Sequence, residues 1–582
     1  MASRAWRPKQ YRWEIAPPFE GAEALARRLG TAPLVAQLLH NRRIDGEDAC
    51  RAFLDPKLTD LHDPLLLSGA DAAAERIARA VAEAEPIVLY GDYDVDGMTG
   101  VAILSSLLGM LGAKVDYYVP HRLEEGYGVN LEAVRKLVAD GARLLITVDC
   151  GIGAVEPLRE ARRAGADVIV TDHHGAGEEL PDAAAIVHPD LPGQDYPNPD
   201  LAGAGVAFKL AWQVARRTCG ETRVDSPLRN FLLEATCLAA LGTIADVVPL
   251  VGENRCLAMY GLRGLPATRH VGLRALIDSA GLGGEKLDAY HVGFVLAPRL
   301  NACGRMGHAR LAVELLTGAA GAKSAEIARF LGRQNAERQK VERAITDQAV
   351  TLVESAGLAD DEHRAIVLAR ADWHGGVIGI VASRLVSRFN RPAILIAVNG
   401  RVGQGSGRSI PGFDMRAALA ACAEHVLSFG GHAMAGGLRI DPSKIRDFTA
   451  AFLARAAEEI RPEQLRPTLR IDAQTTLPAL AFHVVERIER MAPFGQGNPE
   501  PLVLCRGVRI LNPPRRMGTG GKTAGMVLQQ DAATIRAVGF GMGDLADACA
   551  GINTVDVVGR PVFNTFRGRT SIELHLKDVA WE

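Results

Sequence analysis

Ile87-Val88-Leu89-Tyr90-Gly91-Asp92-Tyr93-Asp94-Val95-Asp96-Gly97 is the stretch that decides the fold. It begins as an apolar run typical of a buried strand, and residues 101–111 behind it have the apolar and small side chains of a helix packed on a sheet. Because an extended chain points successive side chains to opposite sides, Asp92, Asp94 and Asp96 can share one face. Carboxylates this close repel one another unless a cation neutralises them. The stretch therefore predicts a metal site, and the alternative is a polar loop that caps the next helix.

The region that follows alternates between two kinds of segment. Short apolar runs at 115–119, 144–148, 168–171 and 185–188 are separated by helical stretches such as 130–139 and 154–164. This alternation is typical of a parallel sheet with crossover helices. In such sheets ligands bind beyond the carboxyl ends of the strands, which is where the acidic stretch lies.

Other predicted segments also end in metal-binding side chains. The run at 144–148 leads into Asp149, the run at 168–171 leads into Asp172-His173-His174, and a later apolar segment ends at Asp246. Each residue alone could be a helix cap or a polar residue at a domain boundary. Carboxylates with imidazoles and no thiolate favour Mn²⁺ or Mg²⁺. Two such ions ~3.5–4 Å apart would activate a water and stabilise the leaving oxygen of a phosphoryl displacement.

These segments resemble the motifs of a known superfamily. Gly91-Asp92-Tyr93-Asp94-Val95-Asp96-Gly97, Val148-Asp149-Cys150-Gly151, Thr171-Asp172-His173-His174 and Gly242-Thr243-Ile244-Ala245-Asp246 resemble, in order, four motifs of the DHH phosphoesterases. The segment 430–437 resembles the glycine-rich motif of the companion DHHA1 domain. The resemblance covers about residues 85–440, and the segment 299–307 makes it closest to the bacterial single-strand-specific DNA exonucleases.

The resemblance implies roles for individual residues. The implied metal ligands are Asp94, Asp96, Asp149, His173 and Asp246, with Asp149 as the bridge between two ions. His174 is implied beside them as a ligand or phosphate contact, which completes a predicted catalytic set of six. Some members have a histidine where this chain has Tyr90, so the resemblance implies a different set of ligands around the first metal and assigns no role to Asp92.

Residues outside the acidic motifs are predicted to bind the substrate. Arg122 is implied as a contact to the terminal phosphate, although a surface ion pair is the alternative. Arg305 lies between glycines, where a guanidinium can bind phosphate bidentately. Glycine-rich loops in the second half of the chain are suited to holding a sugar-phosphate backbone, although such loops are often only turns. The full predicted substrate-binding set is Arg122, Asn301, Arg305, Ser406, Arg408 and His432.

The predicted fold class is multidomain α/β with a parallel-sheet DHH core. The expected parts are an N-terminal helical segment packed on the core (1–80), the DHH catalytic domain (81–320), a long linker helix (321–358), a smaller α/β DHHA1 lobe (359–460) and an OB-like β-barrel (465–582). The barrel is predicted from short alternating runs separated by turns. Its loops contain the cations Arg515, Arg516, Lys522, Arg567 and Arg569 and the aromatic residues Phe540, Phe563 and Phe566. Such residues suit single-strand binding, whereas an SH3-like or purely structural barrel is the alternative.

The amino-acid composition limits how the protein could bind nucleic acid and in which cellular compartment it is expected. The net charge of −2 over 582 residues supplies no global basic field, so nucleic acid must be bound by local cations and metals. The nine cysteines are scattered and form no CxxC pair, which favours a reducing cytosol. No secretory signal is expected at the N-terminus. The apolar segment 231–251 contains Glu234 and Asp246, which favours a buried helix over a membrane span.

The leading hypothesis is a metal-dependent exonuclease acting on single-stranded DNA. A 5′ to 3′ direction, a role in DNA repair and recombination, and a helicase and a single-strand-binding protein as partners are implied by the resemblance alone. One alternative is a DHH phosphodiesterase acting on short oligonucleotides or cyclic dinucleotides, although such a small substrate does not require a separate strand-binding barrel. The other is a non-catalytic DNA-binding scaffold, although every predicted ligand position contains a residue able to bind metal.

Overall fold

The computed structural model describes residues 11–120, 125, 128–220, 223–306, 309–318, 321–360 and 362–581. The chain forms two compact units. One comprises residues 55–337 with 492–499, and the other comprises residues up to 54 with 338–491 and 500–582. This division differs from the predicted five parts, whose boundaries stay a prediction.

The N-terminal segment joins the second of these units up to residue 54. It consists of β1 (Arg12–Ile15), α1 (Ala22–Leu29), α2 (Pro33–Asn41) and α3 (Glu47–Leu54). β1 pairs in parallel with the strand Thr468–Ile471, and the Trp13 indole donates a hydrogen bond to Asp578 at 2.7 Å. The expectation of a helical segment over residues 1–80 did not include this short strand, whose partner lies far along the chain. Within the same residues, Ala73 and Ile77 pack in the core of the first unit.

The unit of residues 55–337 with 492–499 contains the predicted parallel sheet. Its elements are α4 (Ala70–Ala82), β2 (Ile87–Gly91), α5 (Val95–Met110), β3 (Val115–Tyr118), α6 (Leu131–Ala139), β4 (Leu144–Val148), α7 (Val155–Arg163), β5 (Asp167–Thr171), β6 (Ala185–Val187), α8 (Gly203–Cys219), α9 (Ser226–Ala245), α10 (Gly252–Gly264), α11 (Val271–Ser279), a π-helical segment (His291–Leu296), α12 (Ala297–Met306) and α13 (Ala309–Thr317). The strand order is β3-β2-β4-β5-β6, with every pairing parallel.

Both faces of this sheet are covered by helices. Alternate side chains such as Leu89 and Ile146 pack with α5, α8 and α9, while Val88 and Leu145 pack with α6 and α7. α9 is long and apolar enough to cross a membrane by length and composition, but 67% of its apolar window is buried inside the protein. It packs against α5, α8 and α10, as expected for a core helix.

α14 (Ala322–Ser355) is a single helix of 34 residues. It runs from one unit into the next, since the division falls at residues 337 and 338. The sequence predicts a linker helix over 321–358, and Ile345, Ala349 and Val353 of this helix are buried in a core with Trp373. The second half of the helix is therefore an integral part of the DHHA1 lobe.

The DHHA1 lobe is a mixed sheet with helices on both sides. Its elements are β7 (Ile366–Arg370), α15 (Ile378–Phe389), β8 (Ala393–Asn399), β9 (Val402–Arg408), α16 (Met415–Ala421), β10 (Ser428–His432), β11 (Ala435–Ile440) and α17 (Ile445–Glu459). The strand order is β10-β11-β9-β8-β7. α16 and α17 pack on one face through Met415 and Phe448. α15 packs on the other face, over Leu395 of β8.

A closed barrel forms the C-terminal part, as predicted. The elements are β12 (Thr468–Ile471), β13 (Ala473–Thr475), α18 (Phe482–Glu489), β14 (Val503–Met517), β15 (Thr523–Gln530), β16 (Ala533–Gly539), α19 (Leu545–Ala548), β17 (Thr554–Phe566) and β18 (Arg569–Ala580). The sheet order is β13-β14-β15-β16-β18-β17, and a further pairing of β14 with β17 closes five strands into a barrel consistent with an OB fold. The sequence predicts only short runs in this part, whereas β14 is a long strand whose pairing with β17 shifts register between Cys505 and Val508.

Candidate metal centre

The sheet register aligns the ends of four strands. Gly91 lies opposite Val148, Val148 opposite Thr171, and Thr171 opposite Val187. The residues that follow are Asp92, Asp149, Asp172 and His188, so four polar side chains begin at the same edge. His188 is missed by the sequence reasoning, although the same signal, a polar residue just after an apolar strand, marks it.

The acidic stretch contributes in two ways. Asp94 is the N-cap of α5, and its carboxylate accepts hydrogen bonds from the N–H groups of Asp96 (2.9 Å) and Gly97 (3.2 Å). The helix-cap interpretation is therefore correct for Asp94, and it coexists with the clustering of acids. Asp92 and Asp96 are buried.

Asp96 is fixed by the start of another helix. Its carboxylate accepts hydrogen bonds from the N–H groups of Gly203 (2.7 Å) and Ala204 (3.0 Å) at the N-terminus of α8. Free N–H groups at a helix start and the helix dipole both favour a negative charge. The signal in the sequence is the pair Gly203 and Gly205 at the start of α8, which the sequence reasoning did not use.

Asp149 occupies an unusual backbone conformation at the centre of the site. Its φ of 62° lies in the left-handed region, which aspartate and asparagine tolerate better than most residues. Its side chain is buried, and its Oδ1 lies 3.1 Å from Nε2 of His173. A Cβ added at Gly203 would lie 2.4 Å from this oxygen, so only glycine leaves room for the carboxylate.

The two histidines have different environments. Nε2 of His173 faces three carboxylates, Asp149 at 3.1 Å, Asp246 at 3.6 Å and Asp96 at 3.8 Å. Nδ1 of His174 instead bonds to Asp172 at 2.8 Å.

The Asp172 carboxylate holds His173 and His174 in place through their backbone N–H groups. It accepts hydrogen bonds from the N–H groups of His173 (2.8 Å), His174 (3.1 Å) and Ile152 (2.9 Å). His188 contributes from the same side, because its Nε2 bonds to the carbonyl oxygen of His174 at 2.8 Å. Asp172 lies outside the predicted catalytic set, although it belongs to the motif that was recognised.

Asp246 completes the cluster from the end of α9. Gly242, one turn earlier, lies against the acidic stretch, since a Cβ there would be 2.4 Å from Oδ1 of Asp96. The glycine of this motif therefore provides space for a carboxylate, just as Gly203 does.

The donor atoms form three overlapping groups. Each group has its ligand atoms within 4.8 Å of one another, and the groups are Asp149 with His173 and His174, Asp96 with His173 and Asp246, and Asp92 with Asp94 and Asp149. Asp149 and His173 each belong to two groups. Among the described residues, Oδ1 of Asp149 and Nε2 of His173 are buried and face each other at 3.1 Å, and neither atom has a hydrogen bond of good geometry. Buried polar atoms are rarely left this way without a bound ion or water, so the residues fit a divalent metal.

Crowding of the carboxylates changes their pKa values. Burial, followed by the neighbouring acids, raises the pKa of Asp96 and of Asp149 well above the usual range. Burial and the charge of Asp94 raise the pKa of Asp246 to about 7. A divalent cation would reverse this penalty, because a nearby opposite charge favours the ionised carboxylate.

The histidines shift in opposite directions. Burial and the neighbouring His174 lower the pKa of His173 to about 4, which leaves a neutral imidazole able to bind metal. Burial alone would also lower the pKa of His174, but the hydrogen bond and charge of Asp172 raise it to about 9. The site therefore combines a neutral histidine with a cationic one.

Of the remaining residues predicted to bind the substrate in this unit, only some lie in the part of the chain that the structure describes. Asn301 and the backbone of Arg305 lie in α12. A Cβ at Gly304 would lie 2.9 Å from the carbonyl oxygen of Tyr93, so this part of α12 contacts the acidic stretch. Arg122 and the side chain of Arg305 lie outside the described residues.

Three predicted residues of the DHHA1 lobe share one sheet face. Ser406 and Arg408 alternate along β9, and His432 is connected to Arg408 through Ala435, which pairs with both. Directly paired residues of antiparallel strands point to the same side. Ser406, Arg408 and His432 therefore lie on one surface, bordered by Gly379 at the start of α15.

Of the barrel side chains predicted to bind a single strand, some are exposed and others are already in contact with neighbouring side chains. Phe540 and Phe566 are exposed, with 64% and 67% of their surface accessible, whereas Phe563 packs against Phe482. Arg516 is held by Asp544 (2.6 Å) and Asp547 (2.5 Å). Phe540 also lines a cavity of about 550 Å³ with His575 and Arg560.

Comparisons with known proteins agree with this architecture. Three family models match: the DHH family N-terminal domain at residues 86–240, the DHHA1 domain at 362–458 and the RecJ OB domain at 471–578. The chain is 39% identical to the single-stranded-DNA-specific exonuclease RecJ of Bacillus subtilis over 98% of its own length and 71% of that protein. It is 35% identical to RecJ of Dickeya dadantii over 90% of this chain and 93% of that protein.

A solved structure gives a similar result. The crystal structure of Thermus thermophilus RecJ in complex with Mn²⁺ superposes with a TM-score of 0.82 at 33% identity, covering 99% of this chain and 80% of that one. A structure of the same protein in complex with Mg²⁺ gives a TM-score of 0.75 at 30% identity, covering 99% of this chain and 79% of that one.

Proposed function

Since the chain belongs to the RecJ family of single-stranded-DNA-specific exonucleases, we propose that it hydrolyses single-stranded DNA from one end with the help of divalent metal ions. The observation that carries the proposal is the convergence of acidic and imidazole groups from β2, β4, β5 and α9 at one edge of the sheet. A scaffold that had lost activity would have no reason to keep a buried cluster of mutually repelling acids.

The proposed cofactor is Mn²⁺ or Mg²⁺, bound as two ions. The proposed ligands are Asp94, Asp96, Asp149, His173 and Asp246. Asp149 is proposed to be shared between the ions, because it belongs to two of the three ligand groups and its carboxylate has two oxygens, whereas the Nε2 of His173 can bind only one ion. Asp92 is proposed as an additional ligand on the side of Asp94.

Two divalent ions in such a site activate a water and stabilise the attacking and leaving oxygens of an in-line displacement. The protein's own part is to hold and orient. The α8 N-terminus fixes Asp96, and Asp172 fixes both histidines through their backbone N–H groups. His174 is proposed to contact the phosphate as a cation, because Asp172 raises its pKa to about 9 and 41% of its side chain is accessible.

Substrate binding is proposed for residues of three regions. In the DHHA1 lobe, Ser406, Arg408 and His432 would contact the sugar-phosphate backbone. Asn301 and Arg305 are proposed to act from α12, and Arg122 from the segment after β3. In the barrel, Phe540 and Phe566 would stack on bases, since exposed aromatic rings bind bases with little sequence preference.

The biological setting is proposed from family membership. Removal of nucleotides in the 5′ to 3′ direction, participation in DNA repair and recombination, a cytoplasmic location, and cooperation with a helicase and a single-strand-binding protein belong to this proposal.

A time course on end-labelled DNA tests the function. The protein with Mn²⁺ is incubated with single-stranded DNA, blunt duplex DNA and a dinucleotide. Rapid loss of nucleotides from the single strand, with slow cleavage of the duplex, is expected. Equal rates on the blunt duplex would contradict the specificity, preference for the dinucleotide would favour the short-oligonucleotide phosphodiesterase, and binding without cleavage would favour the scaffold.

A further inference from the structure

One face of the DHHA1 sheet is covered over only part of its width. α15 packs over β8 and over the Ser406–Arg408 end of β9, with Leu395 and Ala397 in the shared core. Across β11 and β10, and at the Gln404 end of β9, the same face is open, since Gln404, Gly437 and Ser428 are exposed. The opposite face of these strands is buried under α16 and α17. The lobe therefore presents a floor of three strands beside a wall formed by the start of α15.

The strand register divides this floor into three rows. Directly paired residues point to the same side, and rows two residues apart along a strand are separated by ~6.6 Å. The rows, each read from β9 across β11 to β10, are Arg408-Ala435-His432, Ser406-Gly437-Gly430 and Gln404-Arg439-Ser428.

The first two rows contain the proposed substrate contacts, while the third contains an additional cation. Arg439 is exposed, and among the described residues its guanidinium has no ion pair with a carboxylate. Its neighbours across the strands, Gln404 and Ser428, are uncharged hydrogen-bonding residues. An exposed arginine is often only a solvated surface residue. Here it lies on β11, between β10 and β9, and an inner strand gives it no role in protecting a sheet edge.

The α15 wall extends along the same rows. A Cβ at Gly379 would lie 2.8 Å from Oγ of Ser406, and a Cβ at Gly375 would lie 2.5 Å from Oε1 of Gln404. The first turn of α15, at Gly379, thus borders the second row, and the loop before this helix, at Gly375, borders the third row equally closely. Gly430 and Gly437 in the middle row leave the floor without protruding side chains, so a nucleic-acid backbone can approach it.

We propose that Arg439, with Gln404 and Ser428, forms a second phosphate subsite on this floor. It binds the next phosphate beyond the Ser406 row, since that row lies ~6.6 Å from the Arg439 row, a spacing comparable to the distance between successive phosphates of an extended single strand, while Arg408 and His432 lie one row further away. The guanidinium and the side-chain amide have N–H groups that can donate hydrogen bonds to the oxygens of a phosphodiester. This inference rests on the proposed nuclease function. It extends that function by predicting that the lobe binds two successive phosphates of the same strand.

The test uses Arg439→Ala, the conservative variant Arg439→Lys and a control, Arg446→Ala. Arg446 is an exposed arginine on α17, which covers the opposite face of the sheet. Hydrolysis of single-stranded substrates of increasing length is measured with Mn²⁺ at several salt concentrations. We expect Arg439→Ala to raise KM about tenfold without changing kcat, because one charge-assisted phosphate contact is lost.

Two further features of the kinetics are specific to a phosphate subsite. The loss should begin at the substrate length that first supplies the additional phosphate, and it should be absent for the shortest cleaved substrate. The slope of log(kcat/KM) against log salt should become shallower by about 0.7, the value for one phosphate of a single strand. Arg439→Lys should retain this slope, and Arg446→Ala should match the unmodified protein.

Two results would overturn the inference. One is that Arg439→Ala matches the control at every length and salt concentration, and the other is an equal loss at all lengths, including the shortest. Binding of single-stranded DNA with Ca²⁺ in place of Mn²⁺ is measured in parallel. If the unmodified protein binds single-stranded DNA with Ca²⁺ but does not cleave it with Mn²⁺, the proposed function is contradicted. The salt dependence of binding would in that case still test the role of Arg439.

Discussion

At the scale of single residues, Asp149 is the clearest compromise between function and stability. It is buried, its pKa is raised by burial and by its acidic neighbours, and its Oδ1 has no hydrogen bond of good geometry among the described residues. Such a carboxylate destabilises the metal-free fold, because burying a charge without a partner is unfavourable. The same carboxylate is what a cation requires.

Asp149→Asn should therefore separate the two effects. Asparagine tolerates the left-handed backbone conformation at this position, so the fold should be kept. We expect activity to fall at least about 100-fold, as for loss of a metal-binding or oriented group. We also expect the free energy of unfolding of the metal-free protein to rise by on the order of 1 kcal/mol. Urea unfolding with EDTA and a nuclease assay with Mn²⁺ measure the two quantities; a variant that is less stable without metal would refute this view of the site.

The pKa of Asp246, about 7, predicts a pH dependence of metal binding. Below pH 7 this carboxyl is protonated and must release its proton to bind a cation. The apparent affinity for Mn²⁺ should thus weaken as pH falls from 8 to 6, by up to about tenfold per pH unit for each proton displaced. Calorimetric titrations in buffers of different ionisation enthalpy measure both the affinity and the proton release; an affinity independent of pH would contradict the raised pKa.

The same shift has a consequence for stability. Between the unfolded-state pKa of about 4 and the folded value of about 7, the metal-free folded protein binds more protons at Asp246 than the unfolded chain does. Stability falls with pH wherever the folded state binds more protons. The contribution of this group should therefore decrease from pH 4 to pH 7 without metal. Chemical unfolding across this range, compared with Asp246→Asn, tests the sign, and a variant with an unchanged pH slope would count against it.

At the scale of secondary-structure elements, glycines determine how closely the helices approach the acids. Gly203 begins α8 against Asp149, and a Cβ there would lie 2.4 Å from the carboxylate oxygen. We expect Gly203→Ala to lower activity about 10- to 100-fold, the range for groups that orient metal ligands. The matched control is Gly109→Ala in α5, where a Cβ meets nothing within 4 Å, so it should keep full activity and gain about 0.5–1 kcal/mol in stability. Full activity of Gly203→Ala would show that α8 does not position Asp149.

Most of this site could be predicted from the sequence, because strand-end motifs are local. Asp92, Asp149 and Asp172 each follow a short apolar run, and parallel strands bring their carboxyl ends to one edge. The hydrogen bonds from Gly203 and Ala204 to Asp96 could not be predicted, since they depend on how α8 packs more than 100 residues away. The position of β1 beside β12 is hidden for the same reason, because four residues carry no information about a partner at the other end of the chain.

At the scale of the whole molecule, the barrel should affect long substrates more than short ones. Phe540→Ala combined with Phe566→Ala removes two exposed rings, and base stacking contributes about 1–3 kcal/mol per base. We expect affinity for long single strands to fall at least about fivefold, while cleavage of the shortest substrate is unchanged. Fluorescence anisotropy and the dinucleotide assay give both values. Equal affinity of variant and parent for long strands would leave the barrel without the proposed role.

The most direct test of the central claim is a titration of the metal-free protein with Mn²⁺, followed by electron paramagnetic resonance. The account predicts two Mn²⁺ ions per chain with a spin-coupled spectrum, and loss of that coupling in Asp149→Ala, since Asp149 is the proposed bridge. Binding of a single ion, or of two uncoupled ions whose spectrum is unaffected by Asp149→Ala, would contradict a dinuclear centre at the edge of this sheet.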